Sequence, residues 1–295
     1  MENLEWTGER LTTGVESVHG VIEHLHRYAL AQKITKNKIV LDIASGEGYG
    51  SFLISKNAQK VYGVDIDSNS INHSKKKYSA SKNLEFIVGS TDNIPLTDNS
   101  VDVVISFETI EHHDKHDLMM KEIKRVLKKD GVLLISSPEK SIYKERDPDN
   151  IFHIKELTIV EFENLLKKYF NYSHFYNQRF VIGSLIHLVD TKIQSEFNLF
   201  DGNYTGIIND LKEENFYNKS YFNLAICSNE LINVQQEIGY SLFNGVKVVI
   251  DESNAISTAL KSANSQIEKI LNSKSYRLGN FIFKRINFLR KIWKK

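Results

Sequence analysis

The segment Val40-Leu41-Asp42-Ile43-Ala44-Ser45-Gly46-Glu47-Gly48-Tyr49-Gly50 constrains this chain more than any other. An aliphatic run reaches an acid, and three glycines follow at alternate positions. A buried strand that bends sharply into a helix fits that order. Glycine allows the bend and lets a ligand approach the main chain closely. The helix that follows offers unpaired N–H groups at its start.

The rest of the chain repeats the same theme. Residues 1–36 carry Val15, Val18, Val21, Ile22 and Leu25 at helical spacing and read as a helical lead-in. Short β-branched runs then occur at 38–43, 61–66, 84–88, 101–107 and 132–136, the last closed by Pro138. Amphipathic stretches at 49–56, 68–78 and 118–128 lie between them. Strands alternating with helices predict a doubly wound α/β fold with a parallel sheet covered on both faces. A helix is expected over 157–169, and strands at 172–186 and 221–228 form an antiparallel pair that completes the sheet. The polar stretch 190–219 has no assigned structure; it reads as a substrate-covering insertion or a loop. Composition shifts again near residue 245, where helical spacing returns over 253–271 before a basic, aromatic end. The domain reading is therefore a lead-in (1–36), one α/β domain (37–240, with an insertion near 187–220) and a helical tail (245–295).

Charge and cysteine content narrow the function. The formal net charge is +1, which argues against a wholesale nucleic-acid binder. Residues 273–295 hold eight Lys or Arg and no acid, leaving 30 basic and 37 acidic residues elsewhere, a net of −7. A basic tail on an acidic body implies an anionic partner. The single cysteine, Cys227, excludes an internal disulfide and a thiolate metal cluster, as suits a reducing compartment. The first eight residues lack the features of a secretory signal, and no apolar run approaches the ~20 residues of a membrane span. A cytoplasmic protein is expected.

The glycine turn suits two cofactor classes. A dinucleotide places a pyrophosphate there; S-adenosylmethionine places its amino-acid part there. Gly46-Glu47-Gly48-Tyr49-Gly50-Ser51 lacks the last Gly or Ala of the dinucleotide fingerprint. Asp42 and Glu47 put negative charge beside the turn, which repels a pyrophosphate and suits an ammonium and a sulfonium. In Val61-Tyr62-Gly63-Val64-Asp65-Ile66-Asp67, Asp65 closes the second strand and lies 17 residues after Gly48, where an acid accepts both ribose hydroxyls. Asp67 and Ser68 are the better caps for the next helix. Phe86-Ile87-Val88-Gly89-Ser90-Thr91 ends a strand where an adenine would lie, with Ser90 and Thr91 in reach of the ring edge.

These residues together resemble the class I methyltransferases. Asp42-Ile-Ala-Ser-Gly-Glu-Gly resembles their first motif and Val64-Asp65-Ile66 their second. Ser106-Phe107-Glu108-Thr109-Ile110-Glu111-His112 is similar to the end of their fourth strand, and Gly131-Val132-Leu133-Leu134-Ile135-Ser136 to their fifth. The resemblance implies a Rossmann-like seven-stranded sheet whose last strand runs antiparallel. It places S-adenosylmethionine contacts on Asp42, Ala44, Gly46 and Gly48, on Asp65 and Ile66, on Ser90 and Thr91, and on Ser106 and Phe107. Ser90 departs from the acid many relatives carry after the third-strand glycine, which leaves the backbone of Thr91 as the firmer contact to adenine. Trp6-Thr7-Gly8-Glu9-Arg10, Glu23-His24-Leu25-His26-Arg27-Tyr28-Ala29 and Asn150-Ile151-Phe152-His153-Ile154-Lys155-Glu156-Leu157 are similar to methyltransferases of bacterial surface-polysaccharide and O-antigen biosynthesis. That narrower resemblance implies a glycan, sugar or sugar-phosphate acceptor, free or lipid-linked. It also pairs Arg27 with the cofactor carboxylate and sets Asn150, Phe152 and Glu156 along the acceptor.

An O-methyltransferase acting on a sugar hydroxyl gains from a general base, whereas a phosphate acceptor needs none. His112, after the fourth strand, and His153, in the loop after the fifth, are the candidate bases; each equally fits a local hydrogen bond. Glu108 and Glu111 flank the same strand end and suit donor orientation, acceptor hydroxyls or solvent. Tyr28, Tyr49 and Phe107 suit the cofactor or the core. No metal is expected, because Glu108, Glu111, His112, His113, Asp114 and His116 form a run too dense and local to define a ligand set. The rival readings are a nicotinamide-dependent sugar oxidoreductase or epimerase, a methyltransferase of another small molecule, and a non-catalytic adaptor. Asp42 and the incomplete fingerprint argue against the first, and intact Gly46, Gly48 and Asp65 against the last.

In the tail, Lys284, Arg285, Arg290 and Lys291 alternate with Ile286, Phe288, Leu289, Ile292 and Trp293, a pattern suited to an anionic membrane surface at the inner face of the membrane. Docking on the domain or on a partner subunit is the alternative; no nucleic-acid role is expected. Deleting residues 273–295 is expected to lower co-sedimentation with anionic vesicles and leave cofactor affinity unchanged. Unchanged sedimentation removes the membrane role.

Overall fold

The computed structural model describes residues 18–146, 150–181, 201–203, 206–208, 220–231 and 241–276. The chain divides into two units, Met1–Phe243 and Asn244–Lys295. In the first, helix α1 (Val18–Thr35) leads into strand β1 (Ile39–Ile43), helix α2 (Tyr49–Ser55), strand β2 (Lys60–Asp65), helix α3 (Ser68–Lys77) and strands β3 (Leu84–Val88) and β4 (Val101–Ser106). A 3₁₀ turn (Ile110–His112), helix α4 (His116–Val126), strand β5 (Leu127–Pro138), helices α5 (Lys140–Arg146) and α6 (Ile159–Tyr169) and strand β6 (Tyr172–Gln178) follow. A short antiparallel pair, β7 (Asp201–Asn203) and β8 (Gly206–Ile208), precedes β9 (Phe222–Ser228). The second unit contains helix α7 (Val246–Asn272), whose residues are all at least partly exposed.

Seven strands form one sheet in the order β3-β2-β1-β4-β5-β9-β6. β1 to β5 are parallel, and β9 runs antiparallel between β5 and β6. Side chains alternate between the faces of a strand, and the core follows that period of two. Leu41, Ile43, Val104, Leu133, Ile135, Ala225 and Cys227 face α4 and α6, with Met119, Met120, Ile123, Phe162 and Leu166 against them. Val40, Val103, Ile105, Leu134, Leu224 and Ile226 face α1 and α2, packing on Tyr28, Ala31 and Ile54. Asp42 therefore shares the face of Val40 and points beneath α1 and α2.

Local signals explain the helix ends. The Asp67 side chain caps α3 by accepting from the amides of Asn69 and Ser70. Thr158 and Glu161 form a reciprocal capping box at α6.

Several boundaries differ from expectation. The helix expected over 118–128 ends at Val126, because Leu127 turns extended, buries its side chain and pairs with Val101. The β4–β5 register then shifts before Val132 pairs with Val103. α5 was not anticipated. The strand expected to reach 186 is regular only to Gln178, and 182–186 lie outside the described residues. So do 1–17, most of the 187–220 insertion, and 277–295, which include Trp6–Arg10 and most of the basic tail.

α1 packs tightly against α2 at Gly50. A Cβ there would sit 2.0 Å from the Tyr28 ring. Gly50→Ala is expected to destabilise the protein by about 1–3 kcal/mol despite the better helix propensity of alanine. Urea denaturation measures this as a lower midpoint with an unchanged slope.

Candidate functional site

The site lies at the C-terminal edge of the parallel strands, where ligands bind in open α/β sheets. Ala44, Gly46 and Gly48 adopt φ of 60°, 54° and 87°. Three left-handed residues in five make a bend that L side chains resist. At Gly48 a Cβ would also lie 2.7 Å from the Phe86 ring. The bend is tied to the next two strands through Asp65. Its Oδ2 accepts from the Gly46 amide at 2.7 Å, its Oδ1 from the Asp67 amide at 2.9 Å, and its carbonyl from the Gly89 amide at 3.0 Å. A carboxylate has about four lone-pair positions, so two remain for a ligand. Ile66 follows with its side chain 76% exposed, an apolar surface at the rim.

Asp42 differs from the expected picture. It is 1% exposed and accepts from Ser51 Oγ at 2.6 Å and from the Tyr28 hydroxyl at 3.3 Å. Burial raises its pKa to about 7, against the partial opposition of those hydrogen bonds. Glu47 also turns away from the turn's ligand side: it pairs with Lys77 of α3 and accepts from the Tyr78 hydroxyl. The negative charge expected beside the bend is thus partly protonated at Asp42 and compensated at Glu47. Asp65 differs from both in being held by main-chain amides. The same geometry recasts Tyr28. Its ring sits edge-on to Phe107 and Tyr49 at centroid distances of 5.2 and 5.6 Å, and its hydroxyl holds Asp42.

Arg27, 1% exposed, enters from α1 and reaches Glu108 at 3.2 Å and Gln178 Oε1 at 3.0 Å, with its guanidinium 4.9 Å from the Phe222 ring centre. Its Nε and Nη2 have no hydrogen-bond partner among the described residues. Glu108 itself sits at φ 50°, a strained setting for a non-glycine residue. Ser136 holds it there, donating to Oε1 at 2.6 Å and accepting from its amide at 3.2 Å. Ser106 is fully buried, and its hydroxyl has no partner among the described residues.

Where an adenine was expected, Ser90 donates to Asp92 at 2.6 Å, and Thr91 Oγ1 lies 3.2 Å from His113 Nε2. Hydrogen bonds from Lys115 and Ser90 lower the Asp92 pKa to about 2. Both short side chains thus have protein partners, and main-chain groups are the contacts available to a ring.

The residues expected to line an acceptor are brought together by two loops. The Glu111 carbonyl accepts from the amides of Ile154 and Lys155 at 2.9 and 3.0 Å, strapping the 150–156 loop onto the 3₁₀ turn. Asn150 Oδ1 accepts from the Phe152 amide. His112 and His153 come together with ring centres 5.3 Å apart. His112 Nδ1 donates to the Phe152 carbonyl, His153 Nδ1 bonds Glu156 at 2.6 Å, and Tyr143 stacks on the His153 ring. Glu111, His112 and His153 place one ligand-type atom each within 4.8 Å of one another. The run 108–116 alone defines no such set; His153 supplies the missing member. Paired imidazoles beside a carboxylate serve either proton transfer or cation binding.

The expected cofactor residues therefore gather along one edge, and the expected acceptor residues beside it. Tyr28 and Ser51 around Asp42, Ser136 under Glu108 and Gln178 beside Arg27 were not foreseen as supports. Of these, the sequence singled out only Tyr28, as suited to the cofactor or the core.

Residues 41–135 match a family described as a methyltransferase domain. The chain has the class I methyltransferase fold. A probable S-adenosylmethionine-dependent methyltransferase of Mycolicibacterium smegmatis is 35% identical over 56% of this chain and 64% of its own length. One of Mycobacterium tuberculosis, described in the same words, is 37% identical over 43% of this chain and 46% of its own. The chain thus spans about half to two thirds of the curated relatives it matches. A solved S-adenosylmethionine-dependent methyltransferase of Thermotoga maritima, described as a possible histamine N-methyltransferase, superposes with a TM-score of 0.51 at 17% identity, covering 72% of this chain and 91% of that one. In this methyltransferase fold the Asp65-anchored bend occupies the C-terminal end of the first strand. No described helix is long and apolar enough to cross a membrane.

The buried Asp42 makes a signed pH prediction. Its folded-state pKa of about 7 lies above the ordinary 3.8, so the folded protein holds a proton that the unfolded chain releases. Stability falls as pH rises through that window. Asp42→Asn, measured without cofactor, is expected to flatten the decline between pH 4 and 7 and to gain up to roughly 4 kcal/mol over wild type at pH 8. Parallel pH profiles of the two proteins would contradict it.

Proposed function

We propose that the chain transfers a methyl group from S-adenosylmethionine to an oxygen of a glycan, sugar or sugar-phosphate acceptor. The Asp65 carboxylate, pinned by the Gly46 and Asp67 amides at the rim of the glycine bend, carries this reading. The residues present fit the cofactor. The bend at Ala44, Gly46 and Gly48 cradles its amino-acid part, Asp65 accepts ribose hydroxyls, exposed Ile66 offers an apolar flank, and the main chain at Ser90 and Thr91 meets the adenine edge. When bound, S-adenosylmethionine supplies a methyl group already activated on a sulfonium.

Methyl transfer is an in-line displacement, so the protein's main task is to hold acceptor and donor in line. The Arg27–Glu108–Ser136 cluster fixes the end of the fourth strand at that junction. The polar wall of Asn150, His153 and Glu156, with the partly exposed Phe152 ring, suits a hydroxyl-bearing acceptor. The similarity of Trp6–Arg10 and of 150–157 to surface-polysaccharide methyltransferases supports a glycan. The match over 41–135 to a methyltransferase domain favours S-adenosylmethionine over a nicotinamide dinucleotide.

Calorimetry with S-adenosylhomocysteine and NAD separates the two cofactors: binding of the first alone is expected. Removing two charge-assisted hydrogen bonds costs about 3–6 kcal/mol, so Asp65→Ala is expected to bind S-adenosylhomocysteine at least about 100-fold more weakly. Wild-type affinity in that variant overturns the ribose assignment. Labelled donor incubated with cell-envelope extract then identifies the acceptor; label on a lipid acyl chain or quinone in place of a sugar would overturn the glycan reading.

A further inference from the structure

The two imidazoles at the acceptor wall are oriented in the same sense. His112 Nδ1 lies 3.2 Å from the Phe152 carbonyl. A carbonyl only accepts, so that nitrogen carries the proton and the lone pair of the neutral ring sits on Nε2. His153 Nδ1 lies 2.6 Å from the Glu156 carboxylate, which fixes the same tautomer. A histidine whose Nδ1–H is donated to a carboxylate or a backbone carbonyl is the arrangement that metal-binding histidines adopt, because it aims and enriches the other nitrogen. Here it occurs twice, at rings 5.3 Å apart. The third member, Glu111, is a carboxylate 1% exposed, and one ligand-type atom from each of the three lies within 4.8 Å of the others.

We propose that Glu111, His112 and His153 bind a divalent transition-metal ion. Ligand atoms around a tetrahedral zinc ion with bonds of about 2.1 Å lie about 3.4 Å apart, so small side-chain rotations complete the set. Two imidazoles and one carboxylate select a first-row transition ion over Mg²⁺ or Ca²⁺, which prefer all-oxygen shells. Three protein ligands leave a position open. An acceptor hydroxyl or carbonyl oxygen is the ligand class that position takes. The ion gives both histidines a role other than proton acceptance, with Glu156 and the Phe152 carbonyl as positioning groups behind them. Two independent backbone ties, from Ile154 and Lys155 to Glu111, hold the loop that brings His153 to the other two.

The test uses the full chain after chelation and dialysis, titrated with Zn²⁺ alone by calorimetry and with Co²⁺ alone by visible absorption. One equivalent of Zn²⁺ and a Co²⁺ ligand-field band are expected. His112→Ala and His153→Ala are each expected to weaken Zn²⁺ binding at least 30-fold. Glu156→Gln, which keeps the shape of the positioning carboxylate, is expected to weaken it about 10- to 100-fold. Absence of Zn²⁺ binding, or affinity unchanged in the doubly substituted His112→Ala, His153→Ala protein, overturns the proposal. These titrations contain no methyl donor, and Asp65→Ala is expected to retain the parent Zn²⁺ affinity. A failed cofactor assignment and a failed metal assignment are therefore read in separate experiments.

Discussion

The Asp65 carboxylate is the constraint around which the site is built. Side chain and main chain of Asp65 together join three strand ends: its own, the glycine bend after β1 through the carboxylate and Gly46, and the start of the loop after β3 through the main-chain carbonyl and Gly89. A bend with three left-handed residues is entropically expensive to order. Hydrogen bonds to an ionised group are stronger than neutral ones, so one carboxylate stabilises the bend and presents acceptor positions to a ligand. Loss of the side chain is consequently a loss of the anchor and, in the proposed function, of a ribose contact.

Asp42 works differently, although it sits in the same motif. Its strand position turns it toward α1 and α2, away from water, and burial favours its protonated form. Tyr28 and Ser51 satisfy its oxygens, so its role is to fasten α1 over the first strand. That attachment also brings Arg27 to the end of the fourth strand, beside Glu108. The helix before the sheet is therefore part of the site's architecture: Tyr28 supplies the strand's hydrogen-bond partner and the residue before it, Arg27, supplies the cation.

The proposed acceptor wall depends on a third device, the strapping of the loop 150–156 to the 3₁₀ turn by main-chain bonds at Glu111. Main-chain attachment sets the loop's height while leaving the side chains of Glu111, His112 and His153 to converge. Groups some forty positions apart in sequence thus share one small volume at the sheet edge.

Much of this was legible from residue order. Alternating aliphatic runs and amphipathic stretches determined the parallel sheet, since a strand buried on both faces needs unbroken apolar sequence. The spacing from the glycines to Asp65 placed the two at adjacent strand ends, because strand length sets that distance. Tertiary structure alone decided the rest. The raised pKa of Asp42 and the diversion of Glu47 to Lys77 follow from what packs against each, and no local pattern encodes burial by a distant helix. The early start of β5 at Leu127 reflects pairing with Val101, a long-range contact that overrides the helical periodicity of 118–128. The convergence of His153 on Glu111 and His112 arises from a loop folding back, and sequence spacing does not measure distance across a fold.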